Sequence, residues 1–469
     1  MKLIKNVLGV LASNIITIIA GIFVSFLLPK MLSIEGYGLY KKFTLYSNYL
    51  GICSMGIIDG IVLRYGGIDY DHLEKEKLRS YFSWYMIAIG AFALIIAVFL
   101  PFFVAEEYCF IVLMLAVYLI AMNITGYFQQ ISQITQRFRE YSLRKILQSL
   151  STVLIITPLF ISFCQGNDVS YKSYVVLLMV VNYALTLWYV YTYRDIVFGE
   201  RKPLKNTWQE IIELCQKGFP LLFANLCSTL ILSLDRQFVS ILFTTEEYAT
   251  YAFAYSMLSM VTVATSAIST VIFPMMKRMS ISSLKENYST MLGIVVCIVF
   301  AICIGYFPLC IFIEWFLPKY AESLVIFRII LPGIAVTSAI TVIMHNYYKV
   351  FDKTLDYFKK SVIILLISGL FNYVAFKLAG TREAISIASI MTMLIWYFMA
   401  GRKLEKEFFC KKNSINTVYM LLMMVVFYVC TFWIVSYYIG CAVYLAAFIV
   451  ITLFFQSNHI RAFVSVRKR

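Results

Sequence analysis

The sequence predicts an all-α integral membrane protein with about fourteen transmembrane helices, two pseudo-symmetric six-helix bundles plus two C-terminal helices. Three observations predict it: a composition no water-soluble fold tolerates, apolar runs of membrane-spanning length along the whole chain, and a trace of internal repetition. Of the 469 residues, 61% are hydrophobic and 14% charged, with a mean hydropathy of +0.81. Soluble domains are roughly half apolar and a quarter charged. No stretch between the apolar runs has the composition of an independent soluble domain, so the aqueous loops are expected to be short.

A hydrocarbon core about 30 Å thick needs about 20 mostly apolar helical residues, because lipid offers the backbone no hydrogen-bond partners. That window gives spans at 6–28, 39–63, 81–104, 108–132, 146–164, 171–193, 218–243, 248–273, 288–314, 321–345, 361–378, 383–399, 416–437 and 440–456. Lys2 and Lys5 ahead of an apolar run give the segment Met1 to Val24 the look of a secretory signal. No small-x-small cleavage site follows it and further spans do, so it is expected to remain as the first helix.

Cytoplasmic loops retain Lys and Arg. Basic residues crowd the loops around Lys75, Arg137, Arg201, Lys353 and Lys403, whereas only Lys30, Lys41, Lys42, Lys172, Lys319, Lys377 and Arg382 fall on the opposite side. Both termini are therefore expected in the cytoplasm. The net charge of +15 is this topology signal plus attraction to anionic headgroups of membrane lipids, and it is not read as nucleic-acid binding.

The connection from Arg194 to Lys217 separates six spans from the next six and carries Trp208, Glu210, Ile211, Ile212 and Leu214 in an amphipathic pattern. It suggests an N-terminal bundle over 1–199, a second over 200–414, and two additional helices with a basic tail over 415–469. An ungapped shift of 211 places Asn14 on Asn225, Glu35 on Glu246, Tyr37 on Tyr248 and Tyr40 on Tyr251. With six spans per half, each copy begins on the same side, and the halves relate by an axis along the membrane normal.

Little else in the chain suggests catalysis. The 11 Cys fall mostly inside apolar runs and show no paired CxxC spacing, so they are expected to pack as small apolar groups. His72, His345 and His459 are scattered and form no HExxH, which leaves no metal site and no catalytic residues to nominate.

After span one comes Leu32-Ser33-Ile34-Glu35-Gly36-Tyr37-Gly38-Leu39-Tyr40; the second half carries Leu234-Asp235-Arg236 and Thr245-Glu246-Glu247-Tyr248-Ala249-Thr250-Tyr251-Ala252-Phe253-Ala254-Tyr255. Together with Leu317-Pro318-Lys319-Tyr320-Ala321-Glu322-Ser323, these segments resemble the polysaccharide transporter branch of the multidrug/oligosaccharidyl-lipid/polysaccharide exporter superfamily. That branch includes the O-antigen (Wzx-type) flippases. One departure is Ala249, which stands where the family usually has glycine.

The resemblance implies two six-helix bundles around a central cationic cavity that opens alternately to each side of a bacterial cytoplasmic membrane. It implies a polyprenyl-pyrophosphate-linked oligosaccharide as substrate, in the making of O-antigen, capsule or exopolysaccharide. A polysaccharide polymerase and glycosyltransferases of the same pathway are the implied partners. No cofactor is implied, and proton or sodium coupling stays open.

Ionisable residues inside spans are costly and usually face a cavity or a partner. Four stand out: Asp59 in span two, Asp235 and Arg236 in span seven, and Arg328 in span ten. A pyrophosphate crossing the bilayer needs fixed cations, and Arg supplies a planar, permanently charged fork for phosphate. Arg236 and Arg328 suit substrate binding, and Arg64, at a cytoplasmic helix end, joins them although an interfacial ion pair is the commoner role of a residue so placed. Neighbouring positions on a helix point about 100° apart, so Asp235 is expected to pair with another helix rather than share a spot with Arg236.

Asp59 and Asp235 are candidates for ion coupling or for structural ion pairs, and Asp59 is near enough in sequence to interact loosely with Arg64. Gln129 and Gln133, four apart, share a helix face that suits sugar hydroxyls, although polar side chains more commonly glue helices together. Pro332-Gly333 is placed to bend span ten.

Two other functions compete. A drug or cation antiporter of the same superfamily would use buried carboxylates such as Asp59 and Asp235 for coupling. A polysaccharide polymerase or ligase would require a sizeable external loop with catalytic Arg or His, and every external connection expected here is short.

Overall fold

A computed structural model describes residues 2–466 apart from Asp352 and Glu407. The described chain is helical throughout, and its contacts divide it into two compact units, Met1–Leu230 and Ile231–Arg469. The first unit contains α1 (Lys2–Met31), α2 (Ile34–Ser47), α3 (Ile57–Tyr65), α4 (Lys75–Phe99), α5 (Glu106–Ile134), α6 (Phe138–Cys164), α7 (Tyr171–Thr192), the short α8 (Arg194–Val197) and nearly all of α9 (Leu204–Ile231). The second contains α10 (Leu234–Leu242), α11 (Thr245–Arg278), α12 (Ile281–Cys303), α13 (Tyr306–Phe316), α14 (Ser323–Ile330), α15 (Gly333–Ser338), a π-helical turn (Ala339–Met344), α16 (His345–Val350), α17 (Thr354–Ala379), α18 (Arg382–Lys406), α19 (Ser414–Phe432) and α20 (Tyr437–Val466).

Among the described residues, nine helices are long and apolar enough to cross a bilayer, and twelve if three bent pairs each count as one span. Within the units, the bends are 59° between Ile34–Ser54 and Ile57–Tyr65 and 43° between Ser323–Ile330 and Gly333–Val350. The long helices α1 and α11 add 30 and 34 helical residues to these. The chain is a multi-pass membrane protein. The last bend falls at Pro332-Gly333, where proline removes a backbone donor and interrupts the ladder.

The first bend depends on close backbone contact inside the first unit. Gly56 takes φ +81°, and a Cβ added to Gly218 of α9 would lie 2.0 Å from the Gly56 carbonyl oxygen and 2.5 Å from the Gly60 nitrogen. A Cβ on Gly60 would lie 2.3 Å from the Leu214 carbonyl oxygen. Only glycine lets α3 and α9 approach so closely.

Polar side chains glue the remaining helices. In the first unit Thr17 and Ser149 join α1 to α6 at 2.8 Å, and the Tyr85 hydroxyl of α4 donates to Asn123 Oδ1 of α5 at 3.0 Å. At one end, Lys75 lies 2.7 Å from Asp195, the Tyr70 hydroxyl donates to the same carboxylate at 2.6 Å, and Arg79 donates to the carbonyls of Asp195 and Glu200. Burial pushes the Asp195 carboxyl up, but the donors Lys75 and Tyr70 outweigh it and hold the carboxyl below its ordinary value.

In the second unit, Asn416 of α19 donates to the Ser289 carbonyl of α12 at 2.6 Å and accepts from Gln456 of α20 at 2.8 Å. Gly293 leaves room for both side chains. This buried cluster docks the two C-terminal helices onto α12.

The internal repeat has a structural counterpart. Ser33 caps α2 by accepting from the Gly36 N–H at 3.0 Å, and Thr244, 211 positions later, caps α11 in a capping box with Glu247. Both copies thus begin a helix at the same register, with the small residues Gly38 and Ala249 buried at matching positions. The side chain of Asn14, one of the four matched residues, lies outside the described residues.

Candidate functional site

A cavity of about 320 Å³ lies within the second unit, bordered by α10, α11, the α14–α15 break, the π-helical turn and α18. Leu232, Leu258, Ile330, Ile334, Ile390 and Met393 form its apolar walls, and the hydroxyl residues Ser259, Thr262, Thr337, Ser338, Thr341 and Ser389 face it from three sides. Among the described residues, Arg236 supplies the one charged group of the lining, which contains no carboxylate.

The first turn of α10 positions Arg236. Its Nη2 donates to the Leu232 carbonyl at 2.8 Å, and its Cζ lies 4.6 Å from the centre of the Tyr255 ring. Its Nε is buried and has no hydrogen-bond partner among the described residues. A buried guanidinium N–H without an acceptor is costly, and Nε itself is shut off from the cavity, so the guanidinium must turn for this donor to meet a ligand oxygen.

Asp235, the preceding residue, points away from the cavity into the helix packing and is only 2% exposed. Its Oδ2 accepts from the Tyr251 hydroxyl at 2.8 Å and from the Tyr255 hydroxyl, both on α11. Ser386 of α18 lies 3.3 Å from the Tyr251 hydroxyl. Asp235 thus meets another helix, through phenols rather than a cation, and Tyr255 connects it to Arg236 by presenting its hydroxyl to one and its ring to the other.

The remaining sequence candidates lie elsewhere. Arg328, in the last turn of α14, sits 4.0 Å from the Phe432 ring centre and 3.5 Å from the Thr431 carbonyl of α19, and it is not among the residues lining the cavity. Arg64 donates to the Tyr81 hydroxyl at 2.9 Å and pairs with Glu210 and Glu213 of α9 at 3.5 and 3.3 Å. Its partners are therefore in α9, and Asp59, in the first turn of α3, makes no ion pair among the described residues. Gln129 approaches Tyr189 without a formed hydrogen bond to its buried hydroxyl, and Gln133 lies one turn further along the same helix.

Sequence reasoning missed Tyr255 and the hydroxyl residues of α15 and the π-helical turn. The available signal was that Thr337, Ser338 and Thr341 are the only side chains able to hydrogen bond between Ile329 and Met344. It also missed Arg144 of α6, which is 4% exposed and lies 3.9 Å from the Tyr189 ring centre beside Thr192 and Glu140.

A family model described as "Polysaccharide biosynthesis protein" matches residues 3–280. Among solved structures, the chain is similar to the lipid II flippase MurJ in an inward closed conformation, with TM-score 0.69, 14% identity, 96% of this chain and 99% of that chain covered. It is also similar to an inward-facing multidrug resistance MATE family transporter of the MOP superfamily, with TM-score 0.57, 15% identity and coverage of 84% and 95%. The Vibrio cholerae MATE transporter VcmN matches with TM-score 0.56, 14% identity and coverage of 88% and 97%. At such identities these likenesses speak for the fold. No curated protein sequence matches the chain.

Proposed function

Because the chain belongs to the polysaccharide biosynthesis protein family of the MOP superfamily, we propose that it is a flippase rather than an enzyme. Its cargo, on this reading, is a polyprenyl-pyrophosphate-linked oligosaccharide repeat unit, moved across the bacterial cytoplasmic membrane for O-antigen, capsule or exopolysaccharide synthesis. The fold shared with a lipid II flippase supports the reading. Both termini lie in the cytoplasm, transport proceeds by alternating access, and polymerase and glycosyltransferases of the pathway handle the product and supply the substrate.

The observation that carries the proposal is the polarity of the cavity. The Arg236 guanidinium borders a space whose lining, among the described residues, holds no carboxylate, in a setting where charge is weakly screened. A phosphoryl oxygen fits there, and a cationic drug would meet a like charge with nothing to pair it. Asp235, one of the two carboxylates an antiporter could use, is already occupied by two phenols, and we assign it a structural role.

The test uses cells that lack the chain and are complemented with variants, with membrane insertion checked by immunoblot. Removing one partner of a buried, hydrogen-bonded charge pair costs on the order of 2 to 5 kcal/mol, or about thirty-fold or more in affinity. Arg236→Ala should cut surface polymer sharply while the protein still inserts, and Arg236→Lys should recover only part because it lacks the planar fork. Normal export by Arg236→Ala would remove the guanidinium from the headgroup site.

A further inference from the structure

On the reading that this cavity receives the headgroup, its hydroxyl wall has a polarity of its own. The Thr337 hydroxyl donates to the Ile334 carbonyl at 3.2 Å, Thr341 to the Thr337 carbonyl at 2.8 Å, and Ser259 to the Ser256 carbonyl at 2.7 Å. Each of these protons is committed to a carbonyl of its own helix, and a hydroxyl so bonded offers lone pairs to whatever lies opposite. The Tyr255 hydroxyl is committed as well, to Asp235. Arg236 is the cationic donor of the lining, and Thr337 and Thr341 offer acceptors to the space they share with it.

We infer that Thr337 and Thr341 are specificity-determining residues that read hydrogen-bond donors on the sugar ring next to the phosphoryl group. A ligand fits when it brings an anionic oxygen to Arg236 and unsubstituted hydroxyl or amide N–H groups to the two threonines. A sugar whose hydroxyls are capped by methyl sets lone pair against lone pair and is refused. The volume of about 320 Å³ lies at the small end of the roughly 300 to 1,000 Å³ usual for ligand pockets, so the cavity seats one monosaccharide and its phosphoryl group rather than a whole repeat unit. Selection therefore acts on the first sugar and tolerates variation further out.

The test is equilibrium binding to the purified full-length protein in nanodiscs, with three probes: farnesyl diphosphate, farnesyl-diphosphate-linked N-acetylglucosamine, and the O-methylated form of the latter. The wild type should bind the hydroxylated sugar about ten-fold tighter than its methyl ether, the worth of about two modest hydrogen bonds. The isosteric pair Thr337→Val with Thr341→Val should bring that ratio close to one. Thr337→Ser with Thr341→Ser, which keeps both oxygens, should preserve the ratio.

Equal binding of the two sugars by the wild type would overturn the inference and leave the headgroup reading intact. Persistence of the ratio in the valine pair would overturn it too, since discrimination would then be steric. Failure of farnesyl diphosphate to bind the wild type would overturn the headgroup reading, and this inference with it.

Discussion

Replacing Asp235 separates its role as a hydrogen-bond acceptor from its role as a charge. The Tyr251 and Tyr255 hydroxyls both converge on the same oxygen, Oδ2, and both phenols are buried. Asp235→Ala removes that acceptor and strands two O–H groups at about 1 to 3 kcal/mol each, together about 2 to 6 kcal/mol. Membrane interiors soften such costs, because the unfolded chain in lipid also finds partners, so the lower end is the working figure. Asp235→Asn keeps one carbonyl oxygen, which can take the place of Oδ2 and accept from both tyrosines, so its cost should stay within about 1 kcal/mol. The assay is thermal unfolding of the purified protein in detergent, followed by tryptophan fluorescence. For a unit the size of Ile231–Arg469, about 2 kcal/mol corresponds to a fall of at least about 4 °C for the alanine variant, against little change for asparagine. Equal falls for the two variants would refute the reasoning and assign the stabilisation to the negative charge.

Gly218→Ala should lower the melting temperature by the equivalent of about 1 to 3 kcal/mol, because the new Cβ would lie 2.0 Å from the Gly56 carbonyl and α9 must retreat; an unchanged melting temperature would mean that this contact is not maintained. Asp195, whose carboxyl lies below its ordinary value, contributes stability that is present above the unfolded pKa of about 3.9 and is lost as pH falls through the depressed folded value. Wild type and Asp195→Asn should therefore differ in melting temperature near neutral pH and converge once the pH has fallen through the depressed folded value, and a gap that never narrows on acidification would show that the carboxylate's charge is not its source. In a cysteine-free background, Lys412→Cys should react with an impermeant maleimide only from the cytoplasmic side and Asn167→Cys only from outside, both positions being exposed. The reverse pattern would invert the proposed orientation.

Composition and periodicity alone determined that this chain is a helical membrane protein, because a span needs only enough consecutive apolar residues and any sequence window reveals them. The repeat was legible for a similar reason: Glu35, Tyr37 and Tyr40 belong to a helix start that recurs at Glu246, Tyr248 and Tyr251, and helix starts are local events set by caps such as Ser33 and Thr244. The bend at Pro332-Gly333 was likewise visible, since proline acts on its own backbone.

What the sequence left open was which buried charge meets which neighbour. Arg236 and Arg328 present the same signal, a cation in an apolar run, yet one borders a cavity and the other rests against Phe432 and the Thr431 carbonyl. Arg64 is five positions from Asp59 but pairs with Glu210 and Glu213, because the glycines at 56, 60 and 218 bring two distant helices into contact. Thr337 and Thr341 stood out only as hydroxyls in an otherwise apolar stretch, a signal without a direction, since most Ser and Thr in membrane helices bond their own backbone, as these do, and only the packing of α10, α11 and α18 around them leaves a space for their lone pairs to face. Local propensities are written in neighbouring residues; the direction a side chain finally faces is a property of helix rotation and packing, and those are decided only when distant segments meet.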